Sequence, residues 1–233
     1  MAVDLAGKMA SSAAQDAAAL KRVFETITAE SCPLQFNFHM HTLCSDGRLE
    51  PESLIQQAAK IGLKGLAITD HHSVNGYRRA QHWLTQGQQR DANAEMPHLW
   101  TGTEISANLL NEEVHILAYA FDPDHSLMQP YLQSETATGE LYQAHRVIAA
   151  IHQAGGLAVL AHPVRYRQSV MDLIAAAVEM DIDGVETFYA YGNPSPWQPS
   201  PKQTAEVAAL SRRYQLLNTC GTDTHGLNLL QRI

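Results

Sequence analysis

Residues 35–41 read QFNFHMH, and the alternation within those seven residues decides how the chain around them is read. Phe36, Phe38 and Met40 are apolar, whereas Gln35, Asn37, His39 and His41 are polar. A β-strand sends successive side chains to opposite faces, so both imidazoles point one way and the apolar row the other. Core packing explains two adjacent interior imidazoles poorly. Two ligands of one metal ion explain them well.

Outward from this strand, short apolar runs alternate with amphipathic helical patterns. Strands are predicted at Gln35–His41, Gly65–Asp70, Leu99–Glu104, Val114–Ala120, Leu157–His162, Gly184–Tyr189 and Leu216–Asp223. Helices are predicted at Pro51–Ile61, Ser73–Thr85, Gly139–Gln153, Gln168–Met180 and Lys202–Tyr214. The first helix starts at a proline and stops before Gly62, as helix ends prefer. The alternation predicts an α/β fold with a parallel sheet, and seven strands predict a distorted (βα)7 TIM-like barrel over residues 34–233. Residues 1–33 form an Ala-rich N-terminal helical extension. Its Leu20, Val23, Phe24 and Ile27 recur at helical spacing, so it is expected to pack on the barrel or on a partner. The stretch Asn193–Pro201 (NPSPWQPSP) reads as a Pro-rich loop within that domain.

The chain has 233 residues, 45% hydrophobic and 17% charged, enough apolar material for one large core. Its formal charge of −8 excludes a nucleic-acid surface of the usual basic kind. A nucleotide substrate stays open, because bound cations would invert the local field. No run approaches the roughly 18 apolar residues of a membrane-spanning helix, and the N-terminus lacks a compact apolar region of the signal-peptide type. Cys32, Cys44 and Cys220 show no CxxC spacing and cannot all pair, which reads as buried thiols in a reducing compartment and a cytoplasmic protein. Dinucleotide folds, P-loops, HExxH zinc sites and serine nucleophile elbows are all absent as motifs.

The twelve histidines are the compositional outlier, and their placement carries the chemistry. Asp46 follows the first strand in CSDGRLEP, and the second strand ends in TDHH with Asp70, His71 and His72. The third ends in GTEIS with Glu104, and the fourth contains His115. The fifth ends in AHPVR with His162 and Arg165, and the last in GTDTHG with Asp223 and His225. Metal-type residues thus sit at or near the C-terminal ends of six strands, the face where barrel enzymes carry out catalysis. Buried without metals, each of these polar groups would cost a few kcal/mol unless paired. His82, His98, His125, His145 and His152 fall on helices or loops and are left outside the site.

The ordered set HxH, SDG, TDHH, GTE, H, HPxR and GTDxHG resembles the PHP family, named for polymerase and histidinol phosphatase, across residues 35–227. The resemblance implies a distorted seven-stranded barrel with a trinuclear metal site. It implies one metal on His39, His41, Glu104 and Asp223, and a second on Glu104, His115 and His162. A third would take Asp46, His71 and His225. The cofactor is therefore two or three divalent metal ions, Mn, Fe or Zn by their mixed nitrogen and oxygen ligation. Glu104, His162 and Asp223 are the expected catalytic residues. Asp70 is expected to accept a hydrogen bond from a ligand imidazole. Arg165 is the candidate phosphate clamp, with His72 also placed at the substrate, where it departs from the family pattern. Glu186 ends the sixth strand and is left without a role.

The activity implied is hydrolysis of a phosphomonoester: a nucleoside monophosphate, a 3′,5′-bisphosphonucleotide or the 5′ end of a short oligonucleotide. Histidinol-phosphate phosphatase is the alternative enzyme, and a non-catalytic metal-binding PHP partner module the alternative of another kind. All nine expected ligands are present, which argues against the last. His115 and His162 lie only 47 positions apart, which leaves room for one ordinary helix and a loop but not for the helical insertion that often covers the site in similar proteins, so a more open mouth is expected. The chain ends eight residues after His225, so barrel closure is expected to draw on the N-terminal helix or on a homo-oligomer.

Overall fold

The computed structural model describes residues 13–90 and 96–233. Among the described residues six α-helices and eight strands follow one another: α1 (Ala17–Phe24), β1 (Phe36–Asn37), α2 (Pro51–Ile61), β2 (Gly65–Ala67), α3 (Asn75–Arg90), β3 (His98–Trp100), β4 (Gly102–Leu109), β5 (Glu112–Tyr119), α4 (Ala144–Gln153), β6 (Leu157–Leu160), α5 (Val170–Val178), β7 (Gly184–Phe188), α6 (Pro201–Tyr214) and β8 (Leu217–Cys220). In α2 the proline sits at the first turn, Leu54, Ile55 and Ala58 form the buried stripe, and Gly62 caps the end at φ 83°.

The fold is α/β with mixed strand direction, which corrects the expected ring of seven parallel strands. One sheet runs β1-β2-β3, all parallel, and the other runs β4-β5-β6-β7-β8. In the second, β4 and β5 pair antiparallel over eight residues, β5 and β6 are also antiparallel, and only β6-β7-β8 are parallel. Leu110 and Asn111, both at positive φ (55° and 60°), make the tight turn between β4 and β5. Such a turn matches the twist of a hairpin and leaves no room for a helix. The predicted strand Leu99–Glu104 is two strands. Thr101 leaves the ladder to donate its amide to Ala14 O (3.0 Å), and the chain changes sheets there.

The two sheets meet along two seams of isolated bonds. On one side Phe38 N donates to Cys220 O (3.1 Å), Asp223 N to His39 O (2.8 Å) and His41 N to Thr224 O (3.0 Å). On the other, His71 bridges Glu104, with His72 N donating to Glu104 O (2.9 Å). Two glycines from the quoted motifs permit these approaches. A Cβ on Gly221 would lie 2.2 Å from His39 Cβ, and one on Gly47 would lie 2.5 Å from the His41 carbonyl carbon.

The lead-in packs as its periodicity predicts. Leu20, Phe24 and Ile27 are buried in a cluster with Phe38, Trp100, Leu117 and Tyr119, separate from the main core under α2–α5. Phe24 meets the rings of Phe38 and Tyr119 edge-on at 4.9 and 5.5 Å. Residues 1–12 of the predicted extension lie outside the described residues. The cysteines require a correction. Cys32 and Cys220 form a disulfide across 188 residues, and only Cys44 is free, so the expectation that none of the three thiols pairs does not hold. Among the described residues no helix is long and apolar enough to cross a membrane.

Candidate metal centre

All nine sequence-predicted ligands converge, with Glu104 at their centre. Its Oε2 lies 3.0 Å from His39 Nε2, 3.1 Å from His41 Nε2 and 3.6 Å from His71 Nε2. Its Oε1 lies 2.8 Å from His115 Nδ1 and 3.3 Å from His162 Nε2. Asp223 Oδ1 faces the same two strand imidazoles, at 3.4 Å from His39 Nε2 and 3.2 Å from His41 Nε2. Asp46 Oδ2 lies 3.1 Å from His225 Nε2 and 3.9 Å from His71 Nε2.

Among the described residues three groups offer ligand atoms within 4.8 Å of one another: His39, His41, Glu104 and Asp223; His41, Asp46, His71 and His225; and His71, Glu104 and His115. The first has the expected membership. The second adds His41, whose two ring nitrogens face two groups. In the third, His71 joins Glu104 and His115 where His162 was expected, and His162 meets that group through Glu104 and an edge-on ring contact with His115. Both ring nitrogens of His41 and Nδ1 of His162 are buried without a hydrogen-bond partner. His41 Nε2 is within 3.2 Å of two carboxylate oxygens, yet has hydrogen-bond geometry to neither. Lone pairs that converge on a shared point without pairing are what a divalent cation satisfies. The residues present therefore fit one.

The electrostatics agree. Burial raises the cost of charge on Glu104, but His39 and His115 overcome it and hold its carboxyl well below the usual range. Burial would depress His41, yet the carboxylates of Asp223 and Glu104 beside it lift it to about 9. His71, with less carboxylate contact, is pulled by burial down to about 4. His162 is likewise lowered by burial.

The supporting contacts differ in part from expectation. Glu186, left without a role above, is fully buried; His39 Nδ1 donates to its Oε1 (2.9 Å), and the His162 amide donates to its Oε2 (2.9 Å). That bond directs His39 Nε2 toward Glu104 and Asp223. A carboxylate in the middle of a buried strand was the signal. Asp70 does not meet an imidazole. It accepts from Thr42 N (2.6 Å), Thr42 Oγ1 (2.7 Å) and Ser45 Oγ (2.9 Å), and so fixes the loop that carries Asp46. His72 is buried and outside the three groups; its Nε2 accepts from Ser106 N (3.3 Å) and lies 3.3 Å from Thr136 Oγ1. Arg165 is 40% exposed at the rim, and its guanidinium reaches Tyr189 Oη (3.2 Å) and Asp223 Oδ2 (3.3 Å). His72, His162 and Asp223 all hold positive φ (49°, 27° and 54°), strain of the kind that surrounding contacts sustain at functional sites.

Comparison with known proteins places this arrangement. The chain is 26% identical to the 5′-3′ exoribonuclease Rnm of Escherichia coli K12, over 82% of this chain and 85% of that protein. It is 30% identical over 119 residues to the 3′,5′-nucleoside bisphosphate phosphatase of Chromobacterium violaceum, covering 51% of this chain and 39% of that one. A solved structure of a candidate metal-dependent phosphoesterase from Bifidobacterium adolescentis superposes with a TM-score of 0.63 at 27% identity, over 83% of this chain and 89% of that one. An amidohydrolase from Chromobacterium violaceum shares the fold, with a TM-score of 0.67 at 18% identity over 82% and 88% of the two chains. The PHP domain model matches residues 37–155, just over half of the sequence and six of the nine converging ligands; the chain belongs to the PHP domain family.

Proposed function

We propose that the chain is a metal-dependent phosphoesterase that removes a terminal phosphate from a nucleotide: a nucleoside monophosphate, a 3′,5′-bisphosphonucleotide or the 5′ end of a short oligonucleotide. The observation that carries the reading is Glu104, one buried carboxylate whose two oxygens each face imidazoles of a different ligand group. When bound, divalent cations in such a site supply positive charge to phosphate oxygens and make a bound water acidic enough to give hydroxide near neutral pH. Glu104 joins the groups, Asp223 and His39 fix one end of the array, and Glu186 holds the His39 ring in its tautomer. Arg165 stands at the rim where a phosphate would enter, and its planar fork suits two phosphate oxygens.

The nucleotide substrate is supported by the names of the two relatives, an exoribonuclease and a nucleoside bisphosphate phosphatase. The alignment to the exoribonuclease runs over 261 positions yet takes up 82% of this 233-residue chain, so the relative carries insertions that this chain lacks. The open mouth expected from the short span between His115 and His162 would admit a different or larger substrate than those of similar proteins.

The test is inorganic phosphate release by metal-stripped protein reloaded with Mn²⁺, from AMP, 3′,5′-bisphosphoadenosine, a 5′-phosphorylated oligonucleotide and histidinol phosphate. Metal-dependent release from the nucleotide substrates, lost in His39→Ala, is expected. Release from histidinol phosphate alone would replace the reading with the alternative enzyme. No release from protein that holds its metals would replace it with the partner-module role.

A further inference from the structure

The segment after His225 folds back on the metal centre, and one of its residues reaches both ligands of the last motif. We propose that Arg232 is a positioning residue that sets Asp223 and His225 for metal binding, a task separate from that of Arg165.

The geometry separates the two arginines. Asp223 turns Oδ1 toward His39 and His41 and presents Oδ2 to three donors: Tyr189 Oη at 2.7 Å, Arg232 Nε at 2.8 Å and Arg165 Nη1 at 3.3 Å. With Oδ2 engaged, only Oδ1 remains to face the imidazoles. Arg232 also acts through its backbone, since its carbonyl accepts the amide of His225 at 2.6 Å. The neighbouring Gln231 carbonyl accepts Thr224 Oγ1 at 2.6 Å, so three consecutive residues of the motif are tied to the returning segment. The ring of His225 is turned by its own contact, Nδ1 to Asp223 O at 2.8 Å, which leaves Nε2 facing Asp46. Asp223 needs such support, because its φ of 54° is costly for a residue with a side chain.

Exposure assigns the roles. The Arg232 side chain is 19% exposed and makes the shorter contact, whereas Arg165 is 40% exposed and makes the longest of the three. Arg165 can turn to an incoming phosphate while Arg232 and Tyr189 keep Asp223 in place. The inference rests on Asp223 being a ligand, as proposed above. It assigns the returning segment to the metal site rather than to the substrate.

The experiment measures Mn²⁺ affinity of the full chain by competition with a fluorescent chelator, beside KM and kcat at saturating Mn²⁺. Arg232→Ala is expected to weaken Mn²⁺ binding by about tenfold or more, the usual effect of removing a partner behind a ligand. Arg232→Lys should fall between it and wild type, and Tyr189→Phe should weaken binding in the same direction. Arg165→Ala should raise KM while changing Mn²⁺ affinity little. If Arg232→Ala does not unfold cooperatively, Arg232→Lys and Tyr189→Phe carry the test. Wild-type Mn²⁺ affinity in all three variants would overturn the inference, as would a raised KM in Arg232→Ala with unchanged metal affinity. Failure of the wild-type chain to bind Mn²⁺ would remove the metal reading itself, so the two failures are distinguishable.

Discussion

Burying a carboxylate without partners costs several kcal/mol, so Glu186 must be useful where it sits. Both its oxygens are met, one by the His39 ring and the other by the His162 backbone. Glu186→Ala is expected to lower Mn²⁺ affinity by roughly tenfold to a hundredfold, measured by chelator competition; unchanged affinity would reduce Glu186 to a packing residue. His39 and His41 were legible from the alternation of one strand, since period two alone puts them on one face. Glu186 obeys the same rule on β7, but its partners lie 147 and 24 residues away and nothing in its neighbours names them. Asp70 misled for a related reason. The TDHH motif places a carboxylate beside two imidazoles, yet in the fold Thr42 and Ser45 reach it first.

Among the elements, the β4–β5 hairpin was the least legible. Glu104, Ser106 and Asn108 alternate with Ile105, Ala107 and Leu109, so period two continues well past the strand end assigned from sequence. The parallel order inferred from the helices between most other strands hid it. The pairing has a chemical result: Ser106 lies opposite His115, so Glu104 and His115 share one face and meet at 2.8 Å. The lead-in helix was legible from its spacing, and its anchor is Phe24, 1% exposed. Phe24→Ala should cost about 3–5 kcal/mol in chemical denaturation; a cost under about 1 kcal/mol would mean that α1 contributes little to stability. A pH effect belongs to α4. Near the end of that helix His152 donates to Asp183 Oδ2 (2.8 Å), and this bond raises its pKa, partly opposed by burial. A raised pKa adds stability below the unfolded value of about 6.5 and loses it as pH climbs through the folded value. The difference in melting temperature between wild type and His152→Gln should therefore be larger at pH 5.5 than at pH 8.5. An equal difference at both would show that the ion pair contributes nothing.

At the scale of the molecule, ligands from six strands meet because two sheets of different strand direction are brought edge to edge. The order of motifs announced that convergence. The mixed direction could not be read from them, because a short motif around one ligand looks the same in a hairpin as in a parallel unit. The pairing of Cys32 with Cys220 was also hidden, since a separation of 188 residues leaves no local trace. Closing so long a loop restricts the unfolded chain, so reduction should lower stability by about 2–4 kcal/mol. The melting temperature should then fall by roughly 4–16 °C in reductant. Identical melting curves with and without reductant would mean that the two thiols are not joined.

The same bond makes most of the chain a covalent ring. His39, His41, Asp46, His71, Glu104, His115 and His162 all lie between the two cysteines, while Asp223 and His225 stand just beyond. A protease that cuts the backbone once inside the ring would break the polypeptide without releasing a fragment. On a denaturing gel such nicked protein would run as one band until a thiol was added, and only then separate into two pieces.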